Sequence, residues 1–211
     1  MPTLVYFGIQ GRAQSIRYLL TYKGVAFEDK RLTFEEWGAA KAAGTYGAGN
    51  SVPVYVEDDG TIKNQGNAIL HYLAHKHGLN CATAEEQYEL NWFYETGNDH
   101  QKPEFMKALF NADADQATID GFVAEMNKNA DKLEARFADG RAHVTGANIS
   151  AADFSLLAGH TGVISNSHLR CPSISERLMA DTASRPNLAR VLANIQSECQ
   201  ATVDAIVPGW I

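Results

Sequence analysis

Three sets of residues in this chain have types and spacings that could do chemistry. His71 and His75 stand four apart with His77 close behind, and two imidazoles at i, i+4 are how a helix offers a pair of nitrogen ligands to a metal. The same stretch holds Ile69 and Leu73, which must face a core, so the histidines are expected on the outward face and no metal site is expected. Ser150-Ala-Ala-Asp153 has the Ser-x-x-acid form whose side chains satisfy the free amides at a helix start, with Ile149 and Phe154 placed as a hydrophobic staple. That spacing gives Asp153 a folding role. Cys81, Cys171 and Cys199 are odd in number, far apart and lack C-x-x-C spacing, which fits neither a disulfide framework nor a zinc site, and none lies near the first strand and helix, which opposes a dithiol redox centre there. Reduced thiols fit a cytoplasmic location.

Two kinds of segment must position these groups. Thr3 to Phe7 is rich in β-branched and aromatic residues and ends at a turn around Gly8 and Gly11, as a first strand would. Ala13, Ile16, Leu19 and Leu20 recur at helical spacing up to Gly24, a natural left-handed stop. Val25 to Leu32 reads as a second strand, and Thr33 with Glu36 reads as the capping box of a second helix. Asp58-Asp59-Gly60 between Val52–Glu57 and Thr61–Lys63 is a strong hairpin signal. A helix from Gln65 to His77 completes a β-α-β-α-β-β-α order, the layout of a thioredoxin-like α/β domain over residues 1–77.

After a short connector the strand signals stop. Helical periodicity runs from Ala84 to about Phe110 and from about Asp115 to Phe137, and Pro172 and Pro186 are placed to open the last two helices. Residues 84–211 are therefore expected to form an all-α C-terminal domain. A length of 211 residues suits two small domains, and 45% hydrophobic with 20% charged residues suits a globular chain. The formal net charge of −7 opposes a broad nucleic-acid surface, and no apolar run approaches the roughly 20 residues of a membrane span.

Val5-Tyr-Phe-Gly-Ile-Gln-Gly-Arg-Ala13, Ser51-Val-Pro53, Asn64-Gln-Gly66, Gly146-Ala-Asn-Ile-Ser-Ala-Ala-Asp153 and Ser184-Arg-Pro186 resemble, in order and spacing, the successive motifs of cytosolic glutathione transferases. The likeness covers nearly the whole chain and is greatest to the tyrosine-dependent Pi, Mu and Sigma classes. It implies an enzyme that ionises the thiol of glutathione and conjugates it to hydrophobic electrophiles, as in detoxification. It implies no cofactor or metal, glutathione being a co-substrate, and it implies a homodimer.

On this resemblance Tyr6 is the catalytic residue. A thiol titrates near about 8.5, so little is thiolate at neutral pH unless the site favours the anion. A phenol with a pKa of about 10 can donate a hydrogen bond to the sulfur and keep its proton. The positive end of the first helix and the cation of Arg12 would act in the same direction. Trp37 and Lys41, four apart on one helix face, correspond to the residues that hold the glycine carboxylate. Ser51 and Val52 precede Pro53, which resembles the family's cis-proline, and Val52 would pair its backbone with the cysteinyl part. Gln65 and Gly66 open a helix whose free amides favour the γ-glutamyl carboxylate, and Gly66 stands where most members have a hydroxyl. Asp99 corresponds to the residue that reaches the γ-glutamyl ammonium of the other subunit.

The electrophile pocket implied by the resemblance is lined by Phe7, Gly8, Ile9, Phe105, Met106, Leu109 and Phe110, with Trp210 near the C-terminus as a closing residue. Pi-class members have a tyrosine near Leu109, which this chain lacks. Two other functions use the same residues: a glutathione-dependent prostaglandin isomerase of the Sigma class, and a non-catalytic ligand-binding or lens relative.

Overall fold

A computed structural model describes residues 1–47, 49, 51–99, 107–109, 111–166 and 169–206, with Asp99 described by its backbone only. The described residues divide into two compact units, Met1–Leu79 together with those from Cys199 on, and Asn80–Glu198.

The first unit is built on a four-stranded sheet of order β2-β1-β3-β4, from β1 (Thr3–Phe7), β2 (Glu28–Leu32), β3 (Val54–Val56) and β4 (Ile62–Asn64). β1 runs parallel to β2, with Tyr6 opposite Arg31, and antiparallel to β3, with Val5 opposite Val54. The parallel pair needs a crossover, which α1 (Gln14–Tyr22) supplies. The β3–β4 hairpin turns at Asp58-Asp59-Gly60, where Gly60 has φ 85 and Thr61 N–H donates to Asp59 Oδ1 at 2.8 Å. A glycine is required there because the turn needs a left-handed backbone.

α2 (Phe34–Ala42) starts with the expected reciprocal cap: Glu36 N–H donates to Thr33 Oγ1 at 3.1 Å and Thr33 N–H donates to Glu36 Oε2 at 2.7 Å. α3 (Gly66–Lys76) lies against α1 and against strands β3 and β4. Leu4 and Val5 of β1, Ile16, Leu19 and Leu20 of α1, Val54 of β3, and Ile69, Leu70 and Leu73 of α3 are all buried. The histidines of α3 do not all face outward as expected. His75 is exposed, but His71 is half-buried and burial pushes its imidazole below the ordinary value.

The second unit is helical among its described residues: α4 (Ala84–Asp99), α5 (Gln116–Arg136), α6 (Ala151–Gly159), α7 (Pro172–Ala183) and most of α8 (Pro186–Ala205). Pro172 and Pro186 each stand at the first helical position, where a missing N–H costs nothing. Ile119, Phe122 and Val123 of α5 pack with Ile174 and Leu178 of α7 around Ala108 and Leu109. Glu89 of α4 forms ion pairs with Arg136 of α5 and with Arg141. The thioredoxin-like α/β domain followed by a helical one is the fold class read from the sequence.

Candidate functional site

The elements that converge on Tyr6 are the end of β1, the start of α1 and the loop between them. Tyr6 is buried to 7% exposure in the middle of the sheet. A 3-10 turn over Gly11–Ala13 leads directly into α1, so the helical N–H groups begin at this turn. One of them, the N–H of Arg12, donates to the Tyr6 hydroxyl oxygen at 3.2 Å. First-turn amides have no partner inside the helix, and this one is spent on polarising the phenol. With its oxygen accepting this bond, the Tyr6 O–H can still donate to a ligand atom. Gly11 has φ +40, and a β-carbon built on it would lie 2.6 Å from the Tyr6 hydroxyl oxygen. Only glycine admits the phenol to this position.

Around this centre the first unit holds the other residues expected from the sequence. The Arg12 side chain is exposed. The Val52–Pro53 peptide is cis, and Pro53 is buried with Ser51 and Val52 half-exposed beside it. Gln65 caps α3 with φ 71 and ψ 106, a backbone that non-glycine residues seldom adopt. Such strain collects where a ligand group must be met. Gly66 follows as the first residue of α3, and a β-carbon there would stand 3.4 Å from Pro53 Cγ and 3.5 Å from the Arg12 carbonyl oxygen. The start of α3, the cis-proline and Arg12 are thus neighbours. Trp37 of α2 is half-exposed and stacks on Tyr46 at 6.2 Å between ring centroids, with Lys41 exposed one turn on. Phe7, Gly8 and Ile9 are half-exposed, and the Phe7 ring lies 5.5 Å from that of Tyr6.

In the second unit Asp99 is the last residue of α4. Phe105, Met106, Phe110 and Trp210 lie outside the described residues. Leu109, expected to line an apolar pocket, is only 4% exposed and sits in the core with Ile119 and Phe122. Asp153 is completely buried at the start of α6. Its Oδ2 accepts from the Ser150 N–H and hydroxyl, each at 2.8 Å, and its Oδ1 accepts from the Val144 N–H at 2.9 Å. These bonds tie the loop before α6 to the helix, as a capping residue should.

Several residues that matter to the geometry escaped the sequence reading. The contact of Gly11 with the Tyr6 hydroxyl is one, since a turn glycine announces a bend and not what it must avoid. Phe34 is another: the residue is 78% exposed and its ring centroid lies 4.5 Å from that of Phe7. His143 is a third, buried with Nδ1 3.4 Å from Asp153 Oδ1 and Nε2 3.4 Å from Glu198 Oε2. The two carboxylates hold its pKa above the ordinary imidazole value, the nearby Asp153 contributing most. Arg17, buried beneath Tyr6, is the fourth. Its one sequence signal is a cation flanked by Ile16 and Leu19 on a helix that must pack.

A mixed four-stranded sheet with a cis-proline ahead of β3, followed by a helical unit, defines a thioredoxin-like protein with an appended α domain. Residues 2–75 match the family described as glutathione S-transferase, N-terminal domain. A protein named glutathione S-transferase P from Caenorhabditis elegans is 34% identical over 154 residues, 72% of each chain. A hematopoietic prostaglandin D synthase from Gallus gallus is 42% identical over 84 residues, 40% of each chain. Among solved structures, prostaglandin synthase D of Nilaparvata lugens superposes with a TM-score of 0.75 at 20% identity, covering 99% of this chain and all of that one. The chain belongs to the glutathione S-transferase family.

Proposed function

We propose that this enzyme binds glutathione in its first unit, holds the thiol as thiolate with Tyr6, and conjugates it to hydrophobic electrophiles. The observation that carries the reading is the hydroxyl of Tyr6, buried between β1 and Gly11 and accepting the Arg12 N–H at 3.2 Å. A phenol so held has a fixed oxygen and a free proton. Its hydrogen bond, the amides at the start of α1 and the Arg12 cation all favour an anion at the same place.

In the reaction the thiol loses its proton to solvent, and the sulfur accepts the Tyr6 O–H. The sulfur lone pair then attacks the electrophilic carbon, forming a C–S bond as the leaving group departs with its electron pair. Arg12, Trp37, Lys41, the backbone of Val52, and the amides at Gln65 and Gly66 hold the tripeptide. The partner subunit's Asp99 pairs with its ammonium in a cytoplasmic homodimer. Phe7, Gly8 and Ile9 provide an apolar wall beside the sulfur. The likeness to a prostaglandin D synthase supports isomerisation of a lipid endoperoxide as a second reading.

One comparison tests the proposal: glutathione conjugation to chlorodinitrobenzene against peroxide reduction and prostaglandin isomerisation. Conjugation as the fastest of the three supports the first reading, and isomerisation as the fastest supports the second. Failure to turn over any of them while glutathione binds would point to a ligand-binding relative.

A further inference from the structure

Arg17 is the least expected residue in the first unit. Its side chain is 1% exposed, yet it carries a full charge in the interior of an α/β core. Burial lowers its pKa, and Asp29 opposes that effect. The carboxylate of Asp29 on β2 receives the Arg17 Nε–H at 3.1 Å from each oxygen, and it also accepts from Arg31 Nε at 2.8 Å. The two terminal nitrogens turn the other way, toward the end of β1, the loop that leaves it and the start of α1. Nη1 donates to the carbonyl of Ile9 at 2.9 Å, to that of Gln10 at 3.3 Å and to Gln14 Oε1 at 3.3 Å. Nη2 donates to the carbonyl of Phe7 at 3.4 Å. The guanidinium carbon lies 5.9 Å from the centroid of the Tyr6 ring.

A salt bridge alone does not explain this arrangement. Arg17 spends one edge on the sheet and the other on three of the four residues, Phe7 to Gln10, that separate Tyr6 from Gly11 and Arg12. That loop sets where Gly11 and the Arg12 N–H stand relative to the phenol. A guanidinium has the fixed fork of donors needed to hold several carbonyls at once, and an ammonium lacks it. We propose that Arg17 is a positioning residue for catalysis, which fixes the Phe7–Gln10 loop and through it the hydroxyl of Tyr6. The inference rests on the thiolate role proposed for Tyr6.

The test combines Arg17→Lys and Arg17→Met with Tyr6→Phe. The pH midpoint of thiolate formation by bound glutathione is read from its ultraviolet absorbance, alongside kcat and affinity for S-methylglutathione, which has no thiol to ionise. In the wild-type background each Arg17 substitution should raise the midpoint and lower kcat by about 10-fold or more, with S-methylglutathione affinity little changed. In the Tyr6→Phe background the same substitutions should cost less than about 2-fold further, because residues acting as a unit are not additive. Equal losses in the two backgrounds, or an unchanged midpoint in folded Arg17→Lys, would overturn the proposal.

Should neither Arg17 variant fold, Asp29→Asn decides. By charge alone, deleting this carboxylate favours thiolate and lowers the midpoint, whereas loosening Arg17 raises it. A raised midpoint supports positioning and a lowered or unchanged one refutes it. If Tyr6→Phe itself leaves the midpoint where it was, the role of Tyr6 falls and this inference with it. A normal Tyr6→Phe effect with additive Arg17 losses removes this inference alone.

Discussion

The hydroxyl oxygen of Tyr6 occupies the space a side chain on Gly11 would need, with a β-carbon there only 2.6 Å from it. Gly11→Ala should therefore be far more harmful than a loop substitution usually is. Overpacking costs about 1–3 kcal/mol, and a left-handed backbone at φ +40 adds roughly 1–2 for a residue with a β-carbon. Denaturant unfolding should show the loss. Glutathione thiolate formation in the folded fraction should fall with it, because the phenol is displaced.

Gly66→Ser should tighten glutathione binding. The new β-carbon would meet Pro53 Cγ at 3.4 Å and the Arg12 carbonyl oxygen at 3.5 Å, ordinary contact distances, so the helix start has room for it. A hydrogen bond to a charged group is worth about 1.5–3 kcal/mol, less whatever an existing water already supplies. Calorimetric titration should give a dissociation constant lower by up to about 10-fold with kcat little changed, since ground and transition states share the contact. Weaker binding would show that the γ-glutamyl carboxylate does not lie at Gly66.

His143 should make the second unit more stable at mildly acidic than at alkaline pH. Its pKa is raised by Asp153 and Glu198, so its contribution is complete below the unfolded value of about 6.5 and disappears as pH rises through the higher folded value. His71, His77 and His160 have the opposite sign, because burial lowers each of them. The comparison must therefore be between wild type and His143→Gln. The stability gap between them in urea should be wider near pH ~6 than near pH ~9, and a constant gap would contradict the assignment.

A site that borrows the partner subunit's Asp99 should complement in mixed dimers. Combining Tyr6→Phe and Asp99→Ala subunits leaves one site with both lesions and one with neither. Isolated heterodimers should recover about half of wild-type turnover, in line with one intact site of two. Heterodimers no more active than the parents would exclude sharing.

The order of strands and helices was legible because each element carries a local signal. The Thr33–Glu36 cap, the Asp59-Gly60 turn and the two opening prolines act within a few residues of themselves, and all appear where the sequence put them. What joins distant segments was not legible. Nothing near Arg17 in sequence announces Asp29 on β2, and nothing near His143 announces Glu198, 55 positions later by subtraction of their numbers. Leu109 was equally illegible: an apolar residue on a helix can face a pocket or a core, and periodicity does not tell that it packs with Ile119 and Phe122.

The central claim is that Tyr6 holds glutathione as thiolate, and the most direct measurement is a pH titration of the bound thiolate's ultraviolet absorbance in wild type and Tyr6→Phe. With the wild-type protein the midpoint should lie well below the value of about 8.5 for a free thiol. In Tyr6→Phe it should move up toward that value with glutathione still bound, and kcat at neutral pH should drop about 10- to 1,000-fold, the scale of losing one donor to an anion. A midpoint identical in the two proteins would contradict the account.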